Sequence, residues 1–257
     1  MQFGDVSAEE GDDYVAEVEI HRPPNNFFDA NLIRNLADAY EHLQAGSCRV
    51  IVLCSEGKHF CAGADFHGQS DAEALPEQGA ADLYNEAVRL FRADLPVVAA
   101  VQGAAIGGGL GVACSADFRV AAPEARFAAN FSRLGFHQGF GLSVTLPLIV
   151  GHQASLDLLY TGRRINGDEA TALGLVDRLV PLEELRAEAR ALAREIAAAA
   201  PLAVRSIRRT MRGHLADEVA GVTRHEDEEQ KRLRATSDFA EGTRASLERR
   251  EPNFKGE

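Results

Sequence analysis

The sequence predicts an α/β domain, a mostly parallel sheet covered by helices, followed by a helical C-terminal extension. Two patterns carry that prediction. Up to about residue 200, short apolar runs alternate with segments of helical period, as βαβ units require. From Pro201 onward the chain keeps a helical period, with charged faces and apolar stripes and no further strand pattern.

Tyr14 to His21 reads as a strand, because Tyr14, Ala16, Val18 and Ile20 alternate with Glu17 and Glu19. Pro23-Pro24-Asn25-Asn26 forces a non-helical connection. Asp29 then suits the N-cap of a helix whose apolar positions are Leu32, Ile33, Leu36, Ala39, Tyr40 and Leu43, ending at Gly46. Val50 to Cys54 is a short buried strand, and a long polar loop runs from Ser55 to about Gly79. Leu83, Ala87, Val88, Leu90 and Phe91 mark an amphipathic helix that leads through Pro96 into a buried strand, Val97 to Val101. The uncharged stretch Val97 to Ala116 is about long enough to span a bilayer. Its glycines at 103, 107, 108, 109 and 111 argue instead for a strand turning into a buried helix. Each glycine weakens a helix by roughly 1 kcal/mol relative to alanine. Asp168 to Leu173 and Leu182 to Ala200 read as helices on either side of a strand at Val176 to Val180. No internal repeat or flexible linker divides the chain, so it reads as one structural unit.

A chain of 257 residues can bury a substantial core, and its net charge of -12 argues against nucleic acid or an anionic membrane as the main partner. The cysteines at 48, 54, 61 and 114 lie in apolar or glycine-rich settings, without CxxC or Cys/His metal spacing. Reduced thiols, a cytoplasmic location and no metal are the expectation. No basic segment followed by an apolar run opens the chain, so no secretory signal is read.

Two segments carry chemistry. Gly107-Gly108-Gly109 lies where a buried strand turns into a buried helix, a place where backbone N–H groups lack internal partners and a ligand can approach closely. Alone, a glycine triplet reads as a tight turn. The second segment, His59-Phe60-Cys61-Ala62-Gly63-Ala64-Asp65, follows a buried strand with small residues of its own. Two such backbones could aim paired N–H donors at one developing oxyanion. Gly107-Gly108-Gly109-Leu110-Gly111 does not match the dinucleotide pattern G-x-G-x-x-G, which leaves little support for an oxidoreductase.

These segments, in this order and separation, resemble the two signatures of the crotonase (enoyl-CoA hydratase/isomerase) superfamily. The resemblance extends to Arg22-Pro23-Pro24-Asn25-Asn26, to Leu159-Tyr160-Thr161-Gly162-Arg163-Arg164-Ile165 with Gly174-Leu175-Val176, and to Phe239-Ala240-Glu241-Gly242 with Lys255-Gly256. It implies a ββα spiral core over residues 1–200 and a helical trimerisation region over 201–257 within the same unit. It also implies no permanently bound cofactor, coenzyme A as part of the substrate, and a homotrimer or dimer of trimers whose C-terminal helices fold over a neighbour. Carried over to this chain, the oxyanion donors are the N–H groups of Ala64 and Gly108. Ala62, Asp65, Phe66 and Gly107 would lie along the CoA arm, Asp65 reading equally as a local cap.

The resemblance fails where protons should move. The family's hydratases carry one glutamate just after the glycine turn and a second in a Pro-Glu pair. Gly111 and Phe131 occupy those places, and Gly139 occupies a third position that is aspartate in some dienoyl isomerases and aryl dehalogenases. A glycine or phenylalanine side chain cannot transfer a proton. His137 becomes the leading candidate acid–base group because imidazole titrates near neutrality. Tyr84 is the second, with His67 and Asp71 in the long loop behind it. Gly111, Phe131 and Phe136 would line the acyl pocket and favour bulky, cyclic or aryl groups, an expectation that equal affinity for short and aryl thioesters would defeat. The resemblance implies an acyl-CoA enzyme that stabilises a thioester enolate. Hydration, isomerisation, decarboxylation, C–C cleavage and thioester hydrolysis stay open, and so does a non-catalytic acyl-CoA binder.

Overall fold

The computed structural model describes residues 1–65 and 77–257. It opens on an antiparallel ribbon, β1 (Gln2–Phe3), β2 (Val6–Glu10) and β3 (Val15–Ile20), of which only the last strand has a clear sequence signal. β3 pairs in parallel with β4 (Val50–Ser55) across the crossover helix α1 (Ala30–Gln44), whose N-cap Asp29 accepts from the Leu32 N–H at 2.8 Å. After α2 (Glu77–Arg92) comes β5 (Val97–Val101), parallel to β4. The chain then leaves the main sheet for β6 (Ala104–Ile106) and α3 (Gly108–Ser115), and returns to it in β7 (Phe118–Ala121).

β8 (Arg126–Ala128) pairs in parallel with β6 and antiparallel with β9 (Ile165–Asn166), making a small three-stranded sheet. Between them lie the tight turn Ser132–Leu134 and the helices α4 (Leu142–Val150) and α5 (His152–Thr161). α6 (Gly167–Ala172) precedes β10 (Arg178–Leu179), which closes the main sheet in the order β1-β2-β3-β4-β5-β7-β10. The strand expected over 176–180 is thus confined to Arg178–Leu179.

Every residue of β4 is buried, because the sheet is covered on both faces. The period of two divides its side chains between two cores. Ile51 and Leu53 join the main core, whereas Val50, Val52 and Cys54 face Leu185, Ala189, Leu192 and Ala193 of α7 (Leu185–Ala197). All the cysteines are free and buried. Burial pushes the Cys61 thiol up to about 12, so it remains neutral at physiological pH. Among the described residues, no helix is long and apolar enough to cross a membrane.

The C-terminal region consists of α8 (Pro201–Arg212), α9 (Leu215–Arg234) and α10 (Ser237–Glu248). Residues 249–257 are not helical, contrary to the expectation from Pro201 onward. Asp238 holds this tail by accepting from the N–H groups of Lys255 at 2.7 Å and Gly256 at 2.8 Å. α9 packs along α2 and α4 of its own chain, and α10 packs on the turn at Ser132–Leu134. Within the chain, α9 and α10 thus cover the core. Arg208 is committed to Asp117 at 3.0 Å, both side chains nearly buried, and Arg209 to Asp94 at 3.2 Å. This basic face locks α8 to the body of the molecule.

Candidate active site

The two glycine-containing segments meet side by side. Phe60 N–H donates to Gln102 O, Cys61 N–H to Ala104 O, and Ile106 N–H back to Cys61 O, so residues 60–62 run parallel beside β6. Gly107 N–H donates to Ala128 O on the other side of β6. This ladder sets the segment of Gly63 beside Ile106, whose carbonyl oxygen would lie 3.1 Å from a Cβ on Gly63. Gly107 has φ +57°, a left-handed conformation that favours glycine, and it lets the chain turn from β6 into α3. A Cβ on Gly109 would lie only 2.1 Å from Cys61 O, so glycine there permits the two segments to touch.

The approach to this ladder is fixed by buried Asn26. Its amide donates to Glu56 O at 2.8 Å and His59 O at 2.6 Å, and its Oδ1 accepts from Arg22 N–H at 2.9 Å. Ala62 N–H donates to Asn25 O, and Phe28 N–H to Gly63 O. Among the described residues, neither Ala64 N–H nor Gly108 N–H donates to a protein acceptor. Gly108 opens α3, where the dipole favours negative charge.

Both residues line a cavity of about 920 Å³. Ala62, Asp65, Gly107, Tyr84, Phe131 and Phe136 also line it, as expected. Phe66, His67 and Asp71 lie outside the described residues. Two expected site residues are absent from the lining. A Cβ on Gly111 would lie 2.6 Å from the Phe140 ring, and it is Phe140 that faces the cavity there. The first acid position is therefore filled by an aromatic ring contributed from elsewhere in the chain. His137 is turned away. Its Nδ1 lies 2.8 Å from Gln138 O, and its ring meets the edge of His225 on α9 at 5.8 Å.

Gly139, the third acid position, does line the cavity, but a Cβ there would lie 2.3 Å from the Tyr84 hydroxyl and 2.5 Å from Gln230 Nε2. Tyr84 donates to Gln230 Oε1 at 2.9 Å, and Gln230 Nε2 donates to His137 O at 3.0 Å. Burial, and then the charge of Glu226, raise the Tyr84 phenol above its ordinary value. It is a hydrogen-bond donor at neutral pH and not a base. His59 accepts from Ala104 N–H at 3.2 Å through Nδ1, and burial followed by the charges of Lys58 and Arg126 holds it below the ordinary imidazole value. A neutral ring whose lone pair is already engaged staples the two segments together. Asp29 is occupied as an N-cap and by Arg22 at 3.0 Å.

Several lining residues carry no local sequence signal. Phe140 is flanked by Gly139 and Gly141 and has φ +62°, and that glycine-bracketed aromatic was the one available hint. Gln230 and Arg234 come from α9, and Arg126, Arg164 and Arg249 from three further elements or their ends. Among the described residues these last three arginines form no ion pair. In a chain of net charge -12, the lining includes Arg22, Arg126, Arg164, Arg234 and Arg249 against Asp29 and Asp65. The cavity favours an anion. The close carboxylates Glu17 and Glu19, beside Cys54, instead pair with Arg186.

Comparison with known proteins gives the family. The model of the enoyl-CoA hydratase/isomerase family matches residues 10–257. The chain belongs to that family. It is 36% identical over 206 residues to a crotonyl-CoA hydratase of Syntrophomonas wolfei, covering 80% of this chain and 79% of that one. It is 33% identical over 252 residues to a carnitinyl-CoA dehydratase of Salmonella arizonae, covering 94% and 95%. The solved structure of an enoyl-CoA hydratase/isomerase from Pseudoalteromonas atlantica superposes with a TM-score of 0.86 at 29% identity, over 98% of this chain and 100% of that one. The crotonase fold and an acyl-CoA-processing enzyme of hydratase/isomerase type follow from these matches.

Proposed function

We propose that this enzyme binds an acyl-CoA thioester with its carbonyl oxygen between the N–H groups of Ala64 and Gly108, and stabilises the enolate that forms there. The observation that carries this reading is the backbone ladder that brings the two segments together while leaving those donors free of protein acceptors among the described residues. Donors held in a partly dry site cost no reorganisation when charge develops. Coenzyme A would enter as part of the substrate, its phosphates met by the exposed Arg126, Arg164 and Arg249 and its arm running past Ala62, Asp65 and Gly107. A cytoplasmic homotrimer, or a pair of trimers, completes the proposal. Its support is an uncovered apolar stripe on α8, where Leu202 is 81% exposed, Ile207 64% and Met211 69%.

A specific observation favours one reaction class. With Phe140 over Gly111 and Phe131 at the second acid position, two-carboxylate water addition lacks its groups. An enolate released by C–C heterolysis, as in decarboxylation, needs the oxyanion donors and no such pair. Crotonyl-CoA incubated with the enzyme in heavy-oxygen water should bind without forming labelled 3-hydroxybutyryl-CoA, whereas a malonyl-type thioester should lose carbon dioxide, both read by mass spectrometry. Labelled hydroxyacyl product at ordinary hydratase rates would sink the preference for C–C cleavage. Failure of any CoA thioester to bind would sink the acyl-CoA reading itself.

A further inference from the structure

Arg234 differs from the other arginines of the cavity. Arg126, Arg164 and Arg249 are exposed, and Arg22 is paired with Asp5 and Asp29. Arg234 is partly buried, and its guanidinium lies over the Phe136 ring, 5.6 Å from the centroid. It donates from Nη2 to Gln230 Oε1 at 3.1 Å, the same oxygen that accepts from the Tyr84 hydroxyl. Among the described residues it has no ion-pair partner. The nearby acids of α9 make polar contacts with other groups, although the charge of Asp227 also acts on Arg234. Glu226 accepts from Gly141 N–H at 2.8 Å and Ser143 N–H at 3.1 Å, and Asp227 pairs with Lys231 at 2.8 Å. A guanidinium has several donors in a planar fork suited to a carboxylate, and among the described residues one of them is used, on a neutral amide.

The position of this group selects the part of the ligand that it meets. Phe28 lies on Gly108, Phe140 packs edge-on against Phe28 at 5.9 Å, and Gly139 abuts both Tyr84 and Gln230. The Tyr84–Gln230–Arg234 cluster is thus reached from the oxyanion donors along an aromatic wall. We infer that the cluster is a subsite for an anionic oxygen at the far end of the acyl chain, so that the preferred substrates are thioesters of dicarboxylic acids. The inference rests on the acyl-CoA reading above and adds the substrate class. In this arrangement Arg234 binds the distal carboxylate, and Gln230 positions the guanidinium and the Tyr84 hydroxyl relative to each other.

The test compares glutaryl-CoA with pentanoyl-CoA, which has the same chain length without the charge, by calorimetry on the full-length protein. The wild type should prefer glutaryl-CoA by about ten- to a hundredfold, as a charge-assisted pair in a partly dry site provides. Arg234→Met should collapse that ratio to near one, while Arg234→Lys should keep part of it, and the thermal unfolding midpoint of each variant checks that it folds. Equal affinity of the wild type for the two thioesters overturns the inference, without needing any variant. So does a preference that survives in Arg234→Met. Binding of pentanoyl-CoA with no preference leaves the acyl-CoA reading standing, whereas failure of both thioesters to bind removes that reading and the inference with it.

Discussion

The two walls of the cavity are built from different materials. One wall is backbone: residues 60–64 and 104–108, joined by main-chain hydrogen bonds at Cys61, Ala104 and Ile106 and offering N–H groups. The other is side chain: Phe131, Phe136 and Phe140 from the stretch after β8, with Tyr84, Gln230 and Arg234 from α2 and α9. A backbone donor survives almost any substitution of its own residue, whereas an acid or base vanishes with one. On the proposed reading, the first wall keeps the oxyanion donors, whereas the second presents aromatic rings at the positions where the resemblance implies acids. Family membership gives an acyl-CoA-processing enzyme; the holding of the thioester carbonyl is our proposal, and the path of protons stays open.

The largest effect should come from breaking the backbone wall. Gly109→Ala places a Cβ 2.1 Å from Cys61 O and 2.9 Å from Cys61 C, against main chain that cannot rotate away. The segments must separate, at a cost of about 3 kcal/mol of overpacking. Urea unfolding should show that loss, and thioester affinity should fall with it. A variant with wild-type stability and affinity would show that the ladder does not hold the donors in place.

The side-chain wall can be probed by attempting to restore an acid. Gly111→Glu alone meets the Phe140 ring and should destabilise the protein by about 2 kcal/mol. Phe140→Gly alone leaves a cavity, although glycine suits the φ of +62° at that position. Together the two changes should cost less than their sum, with a coupling of about 1–3 kcal/mol in a double-mutant cycle. Strictly additive free energies would refute the claim that Phe140 occupies the space of the first acid.

The same contrast explains what the sequence made legible. The Ala64/Gly108 pair came from the family resemblance, whereas Asp29 as N-cap and β4 and β5 as buried strands were readable because each depends on local composition, a capping residue or a continuous apolar run. Phe140 over Gly111 was not, because it depends on two positions 29 residues apart in numbering meeting in space. Gln230 and Arg234 were hidden for a stronger form of that reason. They lie on a helix that reads as charged faces and apolar stripes without a site motif, and its packing onto α2 and α4 brings them to the cavity. The β1–β2 ribbon escaped notice because strands of two and five residues carry too little alternation to detect.

The smallest predicted effect separates composition from position. His137 was the natural candidate for proton transfer, since imidazole is the side chain that titrates near neutrality. Its ring instead faces His225, its Nδ1 approaches Gln138 O, and it contributes no lining to the cavity. A catalytic base has to come within hydrogen-bond reach of the proton it takes. His137→Ala should therefore change stability by less than about 0.5 kcal/mol, as a substitution outside the core and the site does. With a thioester that the enzyme turns over, kcat/KM should stay within about twofold of wild type across neutral pH. Loss of a limb of the pH profile in this variant, with folding intact, would restore His137 as the proton carrier and show that the loop from 135 to 141 rearranges when substrate binds. Without that loss, the proton carrier has to be sought on the substrate or among the groups that line the cavity.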